Sequence, residues 1–170
     1  MSNEENEKLD PGEYHNGVAY PSPFDELAVA LCLSARRHIC ILSPRLDHQV
    51  FDRAELVSAL SSLARRGRQS EIRILVADPE PIVKRGHRLL ELARRMPSAL
   101  TMHKLAEHPS WGGETMVIRD TDGLLFRTMD GDQQAFYEPE SKARTSQHLD
   151  LFNELWRRSG PDINFRSLPL

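Results

Sequence analysis

Acid–base chemistry is the first possibility that the polar residues of this chain suggest, because carboxylates and a histidine follow two predicted strands. Asp47 comes shortly after the apolar run 38–43, Asp78 directly after the run 71–77, and His87 within the next expected helix. Loops at the carboxyl ends of neighbouring parallel strands meet at one edge of a sheet. There, Asp47 or Asp78 could orient His87, and His87 would act as a general acid or base on a phosphate ester.

His87 also has a structural interpretation. In a helix predicted for residues 81–96, it lies at helical spacing from Val83 and Leu90, at the margin of the apolar stripe. A hydrogen-bonded histidine that supports the fold is then the expected role. The remaining histidines are dispersed and lack metal-ligand spacing, so neither a metal site nor a cofactor is predicted.

Four basic residues predict a separate anion site. Arg45 follows the first strand, and Lys84, Arg85 and Arg88 lie in the first turns of the helix after the second strand. A helix amino terminus presents free N–H groups and a partial positive charge, which together bind phosphate or carboxylate. The alternative is a basic helical face that contacts only solvent.

Helices and short strands alternate along the chain, and they must position these side chains. Helices are predicted from Ser22, from the capping-box-like pair Asp52 and Glu55, and over 81–96; strands are predicted at 38–43, 71–77 and 100–105. A hairpin around Asp120-Thr121-Asp122-Gly123, an edge strand at 134–137 and a closing helix at 141–158 follow. This order predicts an α/β fold, a single mixed-sheet domain flanked by helices.

Composition and charge bear on the ligands and the cellular location of the protein. The 170 residues are 39% hydrophobic and 28% charged, and a net charge of −3 gives no overall attraction to nucleic acid or membranes, though nucleic acid is left open. The acidic amino terminus does not resemble a signal peptide, and no apolar run reaches the roughly 20 residues that span a bilayer, which favours the cytoplasm. Charged residues with scattered glycine and proline predict a flexible tail at 1–21, before a domain at 22–170.

Several landmarks share their order with a known family. They are the strand 38–43, Arg66-Gly67 leading into Ile72-Arg73-Ile74-Leu75-Val76, a strand ending at Asp122-Gly123, and a closing helix with Phe152 and Trp156. Over about residues 27–159 the chain thus resembles one half of the phospholipase D-like superfamily. The resemblance implies that fold and, because the family's active sites are built from two halves, a homodimer.

The catalytic signature of that superfamily is His-x-Lys, four further residues and Asp, in which the histidine attacks phosphorus and the lysine stabilises the developing charge. With Asp120 as the signature's aspartate, Gly113 and Thr115 stand at the histidine and the lysine. With Asp122 instead, Thr115 and Val117 stand there. Neither register supplies a nucleophile or a cation, so the family's activity does not carry over to these residues.

Three functional hypotheses remain. The first is a catalytically silent phospholipase D-like domain that binds an anion, a phosphate or another protein. The second is a phosphoester hydrolase or transferase with a non-standard site around His87. The third is an accessory domain of an acyltransferase, because the segment 85–93 also resembles a bacterial family of unknown function that is sometimes associated with such enzymes.

Overall fold

The computed structural model describes residues 9–129 and 131–166, except for the side chains of residues 131–133. Six α-helices and seven strands follow one another along this part of the chain, and a short 3₁₀ helix comes last, at Ile163–Phe165. The strands are β1 His15–Asn16, β2 His38–Ser43, β3 Glu71–Val76, β4 Leu100–Lys104, β5 Thr115–Arg119, β6 Gly123–Thr128 and β7 Gly131–Glu138. The helices are α1 Phe24–Leu33, α2 His48–Phe51, α3 Ala54–Arg65, α4 Glu80–Arg85, α5 Arg88–Arg95 and α6 Lys142–Arg157.

All seven strands form one mixed sheet, in the order β1-β7-β6-β5-β2-β3-β4. Strands β2, β3 and β4 are parallel, as expected for strands joined by helical crossovers, and the hairpin strands beyond β2 are antiparallel. The predicted α/β fold with a single mixed-sheet domain is therefore confirmed. The segment at 134–137 is not an edge strand, because β1 pairs with the outer side of β7.

Helices cover both faces of the sheet. Apolar residues of α1, α3 and α5 form one core with alternate residues of the central strands, such as Ile39, Ile41 and Ile74. The opposite set, including Cys40 and Leu42, packs against α6. Both faces of β2 are therefore buried, which explains its nearly continuous apolar sequence.

Part of the predicted flexible tail packs against the domain. His15 and Asn16 pair with β7, Val18 is 2% exposed, and the Tyr137 hydroxyl donates a 2.6 Å hydrogen bond to the Pro11 carbonyl. The described residues 9–21 therefore lie against the sheet. The division of the chain at residue 22 stays a prediction.

The helix predicted for 81–96 consists of two helices. Gly86 has a φ of +84° and ψ of 156°, and His87 is extended, so the chain changes direction between α4 and α5. The prediction of one helix was wrong because a single glycine is tolerated in a helical pattern and gives no clear signal.

Candidate functional site

The carboxyl ends of β2 and β3 lie side by side, with Ser43 in register with Val76. Two residues beyond each strand, Arg45 Nε lies 3.8 Å from Asp78 Oδ2. The start of β5 reaches the same edge, since Met116 pairs with Leu42. The topology thus brings the loops with the predicted site residues to one edge, as the sequence predicts.

Asp47 binds Tyr20, which was not among the predicted site residues. The Tyr20 hydroxyl donates a short hydrogen bond to Asp47, and the Arg127 guanidinium lies 3.9 Å from the centroid of the Tyr20 ring. Burial and the neighbouring carboxylate raise the pKa of Tyr20 far above its ordinary value, so the phenol stays protonated. The role of Asp47 here is to anchor the segment before α1. No sequence motif signals this contact, because it joins positions 27 residues apart.

His87 caps α5 and is 2% exposed. Its Nδ1 accepts the Leu89 N–H at 3.1 Å, so that nitrogen carries no proton. Nε2 lies 3.0 Å from the Leu46 carbonyl and is therefore the protonated nitrogen that donates to it. Both ring nitrogens therefore bind backbone groups. His87 was predicted to lie inside a helix, on the same side as Val83 and Leu90, but it is the N-cap residue of α5, between two helices.

Burial lowers the pKa of His87 to about 4, although the Asp52 carboxylate opposes this shift. The neighbouring groups are His48, whose ring centroid is 5.0 Å away, and Arg88, whose backbone N–H donates to Asp52 Oδ1 at 2.9 Å. Burial opposes the ionisation of Asp52, but the contacts with Arg88 and the neighbouring imidazole outweigh it and lower the pKa of this carboxyl. Asp52 was predicted to cap α3, but the N-cap residue of that helix is Arg53. Asp52 instead accepts a hydrogen bond from the Arg88 N–H, at the start of α5.

Three of the four basic residues that were predicted to bind an anion contact carboxylates instead. Besides the pair of Arg45 with Asp78, Lys84 Nζ lies 2.5 Å from Glu80 Oε1, and Arg88 Nη1 lies 3.3 Å from Asp52 Oδ1. Arg85 is exposed. Because α4 ends before Gly86, Lys84 and Arg85 lie in its last turn and not in the first turn of a helix. The predicted position near a helix amino terminus therefore holds for Arg88 alone.

A cleft of about 360 Å³ lies beside α4 and carries charges of both signs. Its charged lining residues are Asp78, Glu80, Lys84, Lys104 and Asp162. Three carboxylates and two ammonium groups give this cleft no excess of positive charge, so it has little electrostatic preference for phosphate.

The residues at the superfamily's signature positions lie at the start of β5, where Gly113 is half-buried. Gly113 has a φ of +98°, and a Cβ atom added there would lie 2.7 Å from Met129 Sδ. Thr115 and Val117 are 5% and 0% exposed. Met129 is 70% exposed, and only the return of β6 beside β5 brings it opposite Gly113, so no local pattern in the sequence indicates this contact.

The residues around Gly113 bind one another. Glu114 Oε2 accepts the Gly112 N–H at 2.8 Å, and the Glu114 carbonyl accepts the Trp111 indole N–H at 3.0 Å. The Trp111 ring packs against the apolar cluster under α6, so it covers this end of the sheet. The loop presents a carboxylate where a phosphate ester would have to approach.

Asp120, in the β5–β6 turn, also binds the backbone at the start of β2. The Asp120 carboxylate accepts the backbone N–H groups of Arg36, Arg37 and His38, each at 2.9 Å. The turn pattern predicted the hairpin, but no local pattern indicates that Asp120 holds the entry to β2, 82 to 84 residues away.

Within residues 9–129 and 131–166, no three His, Cys, Asp or Glu side chains come together where they could hold a metal ion. Of the helices in the same part of the chain, none has both the length and the apolar character that crossing a bilayer requires.

Comparison with known sequences gives a family without an assigned activity. The sequence model of a domain of unknown function (DUF7931) matches residues 20–168. No curated protein is similar to the chain in sequence.

Solved structures similar to this chain include phospholipase D proteins. Nuc, a phospholipase D family member from Salmonella typhimurium, has a TM-score of 0.61 at 15% identity, over 91% of this chain and 100% of Nuc. The phosphatidylserine synthase of Haemophilus influenzae Rd KW20 has a TM-score of 0.57 at 11% identity, over 89% of this chain and 39% of the synthase. At these identities the similarity shows the fold alone, which is phospholipase D-like.

A further similar structure is TrmBL2, an archaeal chromatin protein with a novel mode of DNA binding. Its TM-score is 0.60 at 12% identity, over 93% of this chain. The chain spans 57% of the length of TrmBL2, so the two share a domain rather than a whole protein.

Proposed function

Because the chain belongs to the DUF7931 family of domains and has a phospholipase D-like fold, we propose that it is a catalytically silent member of that fold which acts by binding a protein partner. The proposal has two parts. The first is that the chain does not cleave phosphoesters. The second is that its function lies in an interaction surface.

The observation that carries the first part is that the signature positions at the start of β5 hold glycine and threonine. In the register set by Asp120, the nucleophilic histidine of the signature would stand at residue 113, where glycine supplies no side chain. A side chain there would also be strained by a φ of +98°, whereas Met129, the side chain nearest to its Cβ position, is 70% exposed and can turn away. Thr115, at the signature's lysine, has no charge to stabilise a phosphoryl oxygen.

The geometry of His87 argues against the alternative hydrolase. A general acid or base must reach the substrate and exchange its proton near the working pH. His87 is 2% exposed, has both nitrogens bound to backbone groups, and has a pKa lowered to about 4. Asp47 binds Tyr20 and Asp78 pairs with Arg45, and neither contact orients this imidazole.

The second part rests on a recessed surface at the β4 edge of the sheet. Three clefts of about 350 to 360 Å³ adjoin the segment 161–166, and helices α4 and α5 and strand β4 line their other sides. Val83 and Ile163, which line this region, are 37% and 72% exposed. We call this region the β4 surface. Grooves with exposed apolar residues and a polar rim are typical of protein-binding sites.

A small anion remains a second candidate ligand, because one predicted cation is only loosely paired. Arg45 and Asp78 lie 3.8 Å apart, with side chains 67% and 47% exposed, so a phosphate could compete with the carboxylate. Binding of DNA, described for TrmBL2, has less support here, since the net charge is −3. An acyltransferase is the partner class suggested by the segment 85–93, and co-purification with such an enzyme would test it.

Release of nitrophenolate from bis(p-nitrophenyl) phosphate tests the catalytic part. We expect the purified chain to give the same rate as buffer, and His87→Ala and Asp78→Asn to change nothing. Turnover that His87→Ala abolishes would replace the proposal with the non-standard hydrolase. For the anion candidate, phosphate titrated into ¹⁵N-labelled protein should shift the amide signals near Arg45, and Arg45→Ala should remove that response.

A further inference from the structure

We infer that the β4 surface binds a short extended peptide of a partner protein, which adds as an antiparallel strand beside β4. The inference deepens the proposed interaction function and rests on it, by naming the kind of partner and the position of contact. It is argued from the backbone groups of β4, from the shape of the cleft beside them, and from the charges at its two ends.

In the part of the chain that the structure describes, β4 is the last strand of the sheet and pairs with a strand on one side only. The ladder with β3 uses the Ala99 carbonyl, which accepts from Ile72, and the Leu105 N–H, which donates to Val76. Alternation along a parallel strand then turns the N–H and C=O groups of Met102 away from β3. Met102 is also one of the residues that line the cleft at this edge.

Within residues 9–129 and 131–166, backbone contacts close both ends of this edge, and none of these contacts involves Met102. At the carboxyl end, Lys104 pairs with Gly160 through N–H to O contacts of 2.9 and 3.4 Å. At the other end, the Leu100 N–H donates to the Met96 carbonyl at 3.0 Å. A second copy of β4 would need a longer free edge than this to form a symmetric ladder, so a short strand of another protein fits better.

The cleft beside Met102 has the size and lining that such a strand requires. It measures about 350 Å³, and its apolar lining residues are Ala93, Pro97, Leu100, Met102, Pro161 and Phe165. About three extended residues, at roughly 3.3 Å each, would span the open part of the edge. The residue opposite Met102 would point to the same face as the Met102 side chain, onto this apolar floor, and its two neighbours would point away.

Charges at the two ends of the cleft set the direction of the peptide. Arg94 lies just before Met96, at the start of β4, and its Nη2 donates to the Arg166 carbonyl at 3.2 Å, which places Arg166 at the same end. Asp162 follows Gly160 by two residues and so lies at the Lys104 end, where it shares a cleft with two further carboxylates and two ammonium groups, a net charge of −1. An antiparallel peptide would therefore carry a basic residue first, an apolar residue in the centre and an acidic residue last.

Fluorescence anisotropy with a defined peptide tests the inference. The probe is Lys-Thr-Leu-Thr-Glu with an amino-terminal fluorescein, and the comparison peptides are Glu-Thr-Leu-Thr-Lys and the probe with an N-methylated leucine. We expect saturable binding of the probe, and at least fivefold weaker binding of both comparison peptides. Arg166→Glu should weaken the probe at least fivefold, while Arg68→Glu, at an exposed loop position, should not.

Three results would overturn the inference. They are the absence of saturable binding up to millimolar protein, equal binding of the probe and its N-methylated form, and a light-scattering dimer that Arg166→Glu dissociates. The last result would assign the β4 surface to a second copy of the chain. Nitrophenolate release is independent of these outcomes, so a failed peptide experiment without turnover rejects this inference and leaves the catalytic silence standing.

Discussion

Two hydrogen bonds hold the His87 imidazole in one neutral tautomer, and this has a consequence for stability. The folded pKa of about 4 lies below the value of about 6.5 for a free histidine. The unfolded chain therefore takes up a proton more readily below pH 6.5. The contribution of His87 to stability is fully present above that pH and is lost as the pH falls towards 4.

We expect the free energy of unfolding to fall by about 2 to 3 kcal/mol between pH 7.5 and 4.5 through His87 alone. His87→Asn keeps an acceptor for the Leu89 N–H but has no group that titrates in this range. Urea unfolding at both pH values should show a smaller drop for this variant than for the natural chain. His38→Asn, at an exposed position, is the control and should keep the full drop. An equal drop for all three proteins would contradict the assignment.

The backbone of Gly113 gives a second prediction at the residue scale, because its φ of +98° opposes any side chain. Gly113→Ala should lower the free energy of unfolding by about 2 kcal/mol. Gly112→Ala is the control, since Gly112 is not among the glycines with a positive φ and a Cβ there would make only an ordinary 3.5 Å contact with Glu114. Chemical denaturation should show a larger loss at 113 than at 112. Equal losses at the two glycines would contradict the backbone strain at the signature position.

At the scale of elements, the sequence identified most helices and strands but not the contacts that join distant ones. Strand β2 matched its predicted bounds, 38–43, because a run that is apolar on both faces is characteristic of a central parallel strand. The break between α4 and α5 was not predictable, because the His87 cap depends on the Leu46 carbonyl, 41 residues away. His87 was predicted to lie inside a helix, whereas it caps the start of α5.

The link between the β5–β6 turn and β2 gives a prediction at this scale. Burial opposes the ionisation of Asp120, but three backbone N–H groups and Arg119 outweigh it and lower the pKa of this carboxyl. Its stabilising effect is therefore present above pH 4 and lost as the pH falls through the lowered value. Asp120→Ala should cost about 2 kcal/mol at pH 7, as measured by urea unfolding. Asp150→Ala, on the exposed side of α6, should cost much less; similar losses would refute the role of Asp120.

For the molecule as a whole, the order of elements was enough to predict the mixed sheet, whereas the catalytic silence inferred from the signature positions stays a prediction. The β4 surface was not predicted. It forms because the segment 161–166, from the end of the described chain, folds beside α5, where Arg94 donates to the carbonyls of residues 164 to 166. No local pattern in the sequence indicates such a contact between α5 and a segment about 70 residues away.

The resemblance to paired phospholipase D-like halves gives a prediction about assembly. We expect a homodimer, with about twice the chain mass of 19.4 kDa by light scattering at micromolar concentration. The dimer should persist in Arg166→Glu, because the peptide site and the dimer contact are expected to be separate. A mass of one chain would refute the homodimer without affecting the other proposals.

The loss of the nucleophile is the central claim, and intact-mass spectrometry tests it most directly. The chain is incubated with excess bis(p-nitrophenyl) phosphate, and its mass is recorded under conditions that preserve phosphohistidine. An enzyme of this fold type would form a covalent phosphoryl adduct on its histidine. We predict that the mass stays at that of the unmodified chain. A phosphoryl adduct on any histidine of the chain would contradict the account.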